Sequence, residues 1–134
     1  MTRIQTLDRD RCLELLRDDE IGRLAVLADG GPVIFPVNYC MDGESVVFRT
    51  DPGLKLEQGV RSHGCFEIDH FDRGNRSGWS VIVAGRLEEV THYEAKTWDR
   101  IHELPVDPWA GGVKEHWVRL VPSRITGRRV APAE

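Results

Sequence analysis

The stretch IGRLAVLADGGPVIFPVNY, residues 21–39, decides the fold class. Residues 22–28 alternate like a strand, Asp29-Gly30-Gly31 is a tight-turn signal, and residues 32–39 form a second run rich in Val, Ile and aromatics. Pro32 and Pro36 lie inside that second run. Proline gives no N–H to a ladder, so both belong at an edge, an end or a bulge. Asp42-Gly43 turns the chain again, and residues 45–50 alternate as a third strand. The first half therefore reads as a β-meander with short turns.

Working outward, residues 7–17 predict a short helix. Thr6 or Asp8 can cap it, and Cys12, Leu13 and Leu16 form its apolar side. Asp51-Pro52-Gly53 ends the third strand, and residues 54–62 suit a second helix with Leu54, Leu56 and Val60 facing inward. A strand over 64–71, a polar loop over 72–78 and a long strand over 79–90 follow, with Gly85 marking a bulge or bend. Residues 93–104 predict a helix with Ala95, Trp98, Ile101 and Leu104 on one side. Residues 115–121 and 125–130 read as two final strands, and 131–134 as a flexible tail. Six or more strands with few helices predict an antiparallel barrel, mainly β with α decorations.

Composition bounds the function. A chain of 134 residues with 40% hydrophobic and 30% charged side chains is expected to form one globular domain over 1–134. Its net charge of −4 argues against general nucleic-acid binding, which needs a basic face. Residues 1–6 lack the apolar core of a signal peptide, and no run reaches the ~20 apolar residues that cross a bilayer. Three widely spaced cysteines, Cys12, Cys40 and Cys65, fit neither a disulfide framework nor a zinc pattern. The expectation is a reduced, cytoplasmic protein that touches no membrane.

Two segments offer chemistry. In FRTDPGLKLEQGVR, residues 48–61, a strand delivers Arg49 and Thr50 to its end and a helix then begins near Lys55. A helix N-terminus, a guanidinium, a hydroxyl and an ammonium together make a phosphate site. Taken alone, ordinary surface charges beside a turn are the better reading. Pro36, Val37 and Asn38 form a strand segment with a gap in its ladder, and Asn38 offers a donor and an acceptor to a heterocycle. An edge protected against aggregation explains the same residues. Trp79 and Ser80 open the long strand, where an indole can cover a flat ring or simply pack. Trp109, His116 and Trp117 form a second aromatic group that suits a site mouth, a core or a dimer seam. The histidines show no HExxH spacing, and His70 beside Asp69 and Asp72 reads as a solvated strand end before a metal site. No GxSxG supports hydrolysis.

In their order and spacing, residues 21–39, 46–56, 78–90 (GWSVIVAGRLEEV) and 114–129 (KEHWVRLVPSRITGRR) resemble the FMN-binding split barrels related to pyridoxamine 5′-phosphate oxidase, in particular the short actinobacterial-type members. The resemblance implies a six-stranded antiparallel split barrel, a homodimer with FMN at the subunit interface, and a small-molecule substrate. It implies that Pro36, Val37 and Asn38 run beside the isoalloxazine ring, that Arg49, Thr50 and Lys55 hold the phosphate, and that Trp79 and Ser80 approach the flavin from the partner subunit. It makes the phosphate reading the favoured one. The tail departs from the pattern. ITGRRV stands where the vitamin B6 oxidases carry an RLxDR-like grip, so pyridoxamine-phosphate oxidation is not the expected reaction. Leu54-Lys55-Leu56 replaces a Ser-Arg-Lys run. An FMN-dependent oxidoreductase is the leading expectation. A deazaflavin-dependent reductase, with Arg61, Arg73 and Arg76 as groove candidates, and a non-catalytic flavin or haem protein, with His63 or His116 as ligand, are the alternatives.

Overall fold

The computed structural model describes residues 2–28, 30–50, 63–91, 93–109 and 116–132. Seven strands and two helices occur among them: β1 (Thr2–Leu7), α1 (Arg9–Arg17), β2 (Ile21–Ala28), β3 (Gly31–Asp42), β4 (Ser45–Thr50), β5 (His63–Asp72), β6 (Ser77–Val90), α2 (Ala95–His102) and β7 (His116–Pro132). The sheet runs β1-β7-β4-β3-β2-β5-β6, and β6 also pairs with β7. That last pairing closes a circuit of six strands, β7-β4-β3-β2-β5-β6, with β1 added outside it. All its pairings are antiparallel.

The barrel is split because the far edge of β7 changes partner. Residues 116–120 pair with β4, and residues 127–132 pair with β1. Three expectations are corrected here. Residues 2–7 form a strand, so α1 begins at Arg9 rather than at residue 7, with Asp8 as its cap, its carboxylate accepting from the Arg11 N–H at 2.8 Å. Ala131 and Pro132 belong to β7 rather than to a flexible tail, because β1 pairs with them. The two strands read over 115–121 and 125–130 are one. Pro122 and Ser123 looked like a break, yet they form a bulge at which the β6–β7 register shifts between Ala84 and Gly85. Ser123 donates its hydroxyl to the Ala84 carbonyl at 3.0 Å. A Cβ on Gly85 would lie 2.0 Å from the Val121 carbonyl oxygen, so only glycine lets the strands approach there.

Period-two alternation fills the barrel. Leu24, Val26, Val37, Tyr39, Val46, Phe48, Phe66, Ile68, Val81, Val83, Leu87, Val118 and Leu120 point inward and pack with the buried face of α1 (Cys12, Leu13, Leu15, Leu16). A second cluster lies outside the barrel wall, where Ile101 of α2 and Val106 cover Val47, Val90 and Trp117. Trp98 and Leu104 pack against it as the helical spacing predicts, whereas Ala95 is exposed. A bidentate ion pair ties α2 to the end of β3, with both Arg100–Asp42 contacts at 2.9 Å. That guanidinium holds the Asp42 carboxyl below its ordinary value. The helix read over 54–62, and Lys55 with it, lie outside the described residues.

Candidate functional site

β3 changes character at Tyr39. Its residues 39–42 pair with β4, but residues 31–38 pair, among the described residues, only with β2. Pro32 and Pro36 fall in this one-sided part, which is the edge position that their missing N–H requires. Val37 is buried, Pro36 exposed and Asn38 half-buried. Tyr39 stands opposite Phe48, both facing the core, so the next step along each strand brings Asn38 and Arg49 side by side on the outer face. The structure thus assembles four of the expected residues, Pro36, Val37, Asn38 and Arg49, around the point where β3 loses a neighbour.

Arg49 lies over the ring of Trp117, its cross-strand partner, at 5.2 Å from the centroid, and its Nη1 donates to the Val106 carbonyl at 3.1 Å. Thr50, the next residue, faces the barrel end and is 1% exposed. It stands opposite His116, whose Nδ1 lies 2.6 Å from a Glu89 carboxylate oxygen. Arg49, Glu89, His116, Trp117 and the α2 residues Trp98 and His102 wall a cleft of about 730 Å³. His102 lies between Trp98 (centroids 3.8 Å apart, rings tilted by 41°) and Trp117 (4.8 Å, 40°), giving a continuous aromatic wall with a cation at one end. Sequence reading noted Trp117 and His116 but missed Trp98, His102 and Glu89. The signal was present in the i,i+4 spacing of Trp98 and His102 on a helix that must cover the barrel.

Asn38 is engaged at both ends of its amide. Its Nδ2 donates to the Glu20 carbonyl at 3.4 Å, and its Oδ1 accepts from the Trp109 N–H at 2.9 Å. Neither partner follows from sequence spacing, because the Trp109 contact spans 71 residues.

Trp79 and Ser80 are placed elsewhere. Trp79 packs partly against the core, tilts over His70 at 5.1 Å, and lines a cleft of about 450 Å³ with Arg11 and Arg129. Ser80 lines a third cleft with Thr6, Ile82 and Arg128. No described residue is shared among the three clefts. Arg128 and Arg129 therefore diverge rather than gripping one anion. Arg73 and Arg76 sit on the turn between β5 and β6. His70 bonds Asp19 at 2.9 Å instead of gathering with Asp69 and Asp72, and among the described residues no three His, Cys, Asp or Glu side chains converge as metal ligands. His63 is exposed. No helix among the described residues is long and apolar enough to cross a membrane.

A closed antiparallel barrel of this topology, with a basic and aromatic cleft walled by residues of β4, β6, β7 and α2, defines a split-barrel class of proteins. Residues 8–129 match the model of the pyridoxamine 5′-phosphate oxidase family, and the chain belongs to that family. It is similar to a solved FAD-binding protein from Mycobacterium smegmatis, at 33% identity and a TM-score of 0.83, over 96% of this chain and 100% of that one. It is also similar to an uncharacterised protein of Mycobacterium tuberculosis, 32% identical over 130 residues, covering 92% of this chain and 84% of that protein. A solved FAD-binding protein from Mesorhizobium loti, at 24% identity and a TM-score of 0.78 over 98% of this chain and all of that one, shares the fold.

Proposed function

We propose that the chain is a flavin-dependent oxidoreductase, with FMN as the cofactor, working as a homodimer on a small-molecule substrate. The observation that carries this reading is the juxtaposition of Pro36–Asn38 with Arg49 at the point where β3, among the described residues, passes from two strand neighbours to one. Backbone groups on that open side suit the polar edge of a flat heterocycle, and an arginine beside them suits its phosphate. Thr50 and Lys55 complete the phosphate contacts in this reading. When bound, the flavin supplies the redox chemistry, and the chain binds it, orients it and sets its electrostatic surroundings. The similar M. smegmatis protein is described as binding FAD, so the larger flavin is the natural second probe. The divergence of Arg128 and Arg129 into separate clefts supports a substrate other than pyridoxamine phosphate.

The dimer rests on two observations. Trp79 lines a cleft separate from that of Arg49, so in this reading it reaches a flavin held by a second copy, with Ser80 on the neighbouring cleft. Part of the outer face of β3, β2, β5 and β6 is also apolar, beside the Arg23–Glu67–Asp69 ion pairs. Ile34, Ala25, Cys65 and Ala84 form one cross-strand row, flanked by Leu27 and Ile82. Leu27 is 71% and Ile34 67% exposed, unusual for the outside of a barrel in water. A second copy laid on this face would cover them.

The test is the visible spectrum and mass of the purified protein, with added FMN or FAD if it emerges colourless. A flavin spectrum on a particle of twice the chain mass is the expected result. A Soret band, or no uptake of either flavin, overturns the reading. Arg49→Ala and Lys55→Ala should each weaken FMN binding by about 1–3 kcal/mol, the loss of one charge-assisted contact. Unchanged affinity in both removes the phosphate site.

A further inference from the structure

The segment after α2 carries an indole in an unusual setting. Trp109 is 67% exposed, yet the backbone leading to it is fastened from three sides. Cys40 Sγ lies 3.4 Å from the Pro105 carbonyl, Arg49 donates to the Val106 carbonyl at 3.1 Å, and the Trp109 N–H donates to Asn38 at 2.9 Å. All three side chains stand on the outer face of β3 and β4, around the position assigned above to the ligand ring. An exposed aromatic by itself calls for no explanation. One whose backbone is fixed by the side chains that border a candidate ring site is pre-organised to meet a ligand, since its ordering cost is met before binding.

We propose that Trp109 is a ligand-contact residue that stacks on the planar ring held at the β3 edge, and that Asn38 is its positioning residue. The inference rests on the flavin reading above. It changes the role of Asn38. Each end of that amide makes a bond within the chain, and the oxygen's bond fixes the Trp109 backbone, so Asn38 acts on the ring through Trp109. The amide orientation follows from the same network, because only the oxygen can accept from the Trp109 N–H. Arg49 then serves twice, as phosphate cation and as a fastening of the Val106 backbone. The stacking partner is a π-face, so it tolerates FMN and FAD alike, which share the ring. Trp98 and Trp117 pack in or against the second apolar cluster and line the cleft beside Arg49, whereas Trp109 is the indole whose backbone is held by Asn38.

The experiment titrates FMN, and separately FAD, into wild-type protein, Trp109→Phe, Trp109→Leu and Asn38→Ala, following indole emission and flavin absorbance, with thermal melting to confirm that each variant is folded. In the flavin-free protein the difference between wild type and Trp109→Phe isolates the emission of this indole, which should be that of a water-exposed tryptophan. Flavin should quench that component strongly. Trp109→Leu should raise the flavin Kd about tenfold, the loss of one aromatic stacking contact. Asn38→Ala should raise the flavin Kd by no more than Trp109→Leu does, should leave less of the Trp109 emission quenched at saturating flavin, and should speed amide exchange at Trp109 even without flavin. Flavin binding by Trp109→Leu with unchanged Kd and spectrum overturns the stacking assignment and leaves the flavin reading standing. Unchanged exchange at Trp109 in Asn38→Ala overturns the positioning role. If wild type takes up neither flavin, the flavin reading fails and the Trp109 assignment fails with it.

Discussion

Tyr39 offers a sharp test of how the barrel is closed at the α1 end. Its hydroxyl lies 2.6 Å from the Leu16 carbonyl, and the residue is 2% exposed. Leu16 sits in the last turn of α1, where carbonyls have no partner within the helix. Burial pushes the phenol far above its ordinary value, so it remains a donor across the usable pH range. Tyr39→Phe keeps the ring and its edge contact with Phe66, at 4.7 Å between centroids, and removes only the oxygen. A buried carbonyl is then left unmatched. That costs about 1–3 kcal/mol, the full desolvation of an acceptor rather than the smaller net value of an average hydrogen bond. For a domain of this size the loss corresponds to a fall in Tm of roughly 4–12 °C.

The assay is urea unfolding of both proteins, followed by far-UV ellipticity and Trp emission together. The midpoint should fall with the slope unchanged, because the surface exposed on unfolding is the same. Since the hydroxyl points into the barrel and the outer face is untouched, flavin affinity should stay within about twofold of wild type. A stability change below about 0.5 kcal/mol would show that water satisfies the Leu16 carbonyl, and the argument that Tyr39 anchors α1 would be wrong.

Gly127 passes close under α1, and a Cβ there would lie 2.6 Å from Cys12 Sγ. Gly127→Ala should cost about 1–3 kcal/mol, and Cys12→Ala in the same chain should recover part of it; strict additivity in the double variant removes the proposed contact. The Arg100–Asp42 pair gives a pH signature. Arg100 lowers the Asp42 carboxyl below its ordinary 3.8, so its contribution is fully present above that value and disappears as pH falls through the lower, folded-state value. Asp42→Asn should therefore flatten the acid limb of the stability profile and change the neutral-pH emission of Trp98 on the tethered helix. Identical acid limbs in the two proteins refute that link.

What was legible in the sequence was whatever period-two alternation and turn chemistry record. The hairpin of residues 21–39 shows Ala28 opposite Gly31, and the prolines of β3 occupy its open edge, as their missing donors demand. Gly85 announced the irregularity in β6, although the extra residue proved to be Ser123 on the facing strand. The missed features depend on partners distant in sequence. Residues 2–6 carried no strand assignment; five of the six side chains of β1 are exposed, and it forms a strand by pairing with the end of β7 that extends past the barrel. Likewise Pro122 argued for a chain break, when a bulge absorbs it within one long strand. At the candidate site, residue types told which side chains suited phosphate or ring, but not that Asn38 and Arg49 spend hydrogen bonds on the segment ending at Trp109.

That double use of Asn38 and Arg49 bears on how a split barrel varies its ligand. The barrel wall is fixed by interior packing, from Val37 and Tyr39 on one strand to Val46 and Phe48 on the next. Interior side chains therefore constrain where the outer residues sit but not what they hold. In the flavin reading, the outer residues would gain their specificity from the segments draped over them. Here α2 is tied by Arg100 to Asp42, and residues 105–109 are tied by Cys40, Arg49 and Asn38. A change of ligand on this fold thus needs only a change in the draped segment and its few anchors, at little expense to the core. This is why Trp98, His102 and Trp109, none of them in the barrel, are the residues in which differences of substrate among proteins of this class should be sought.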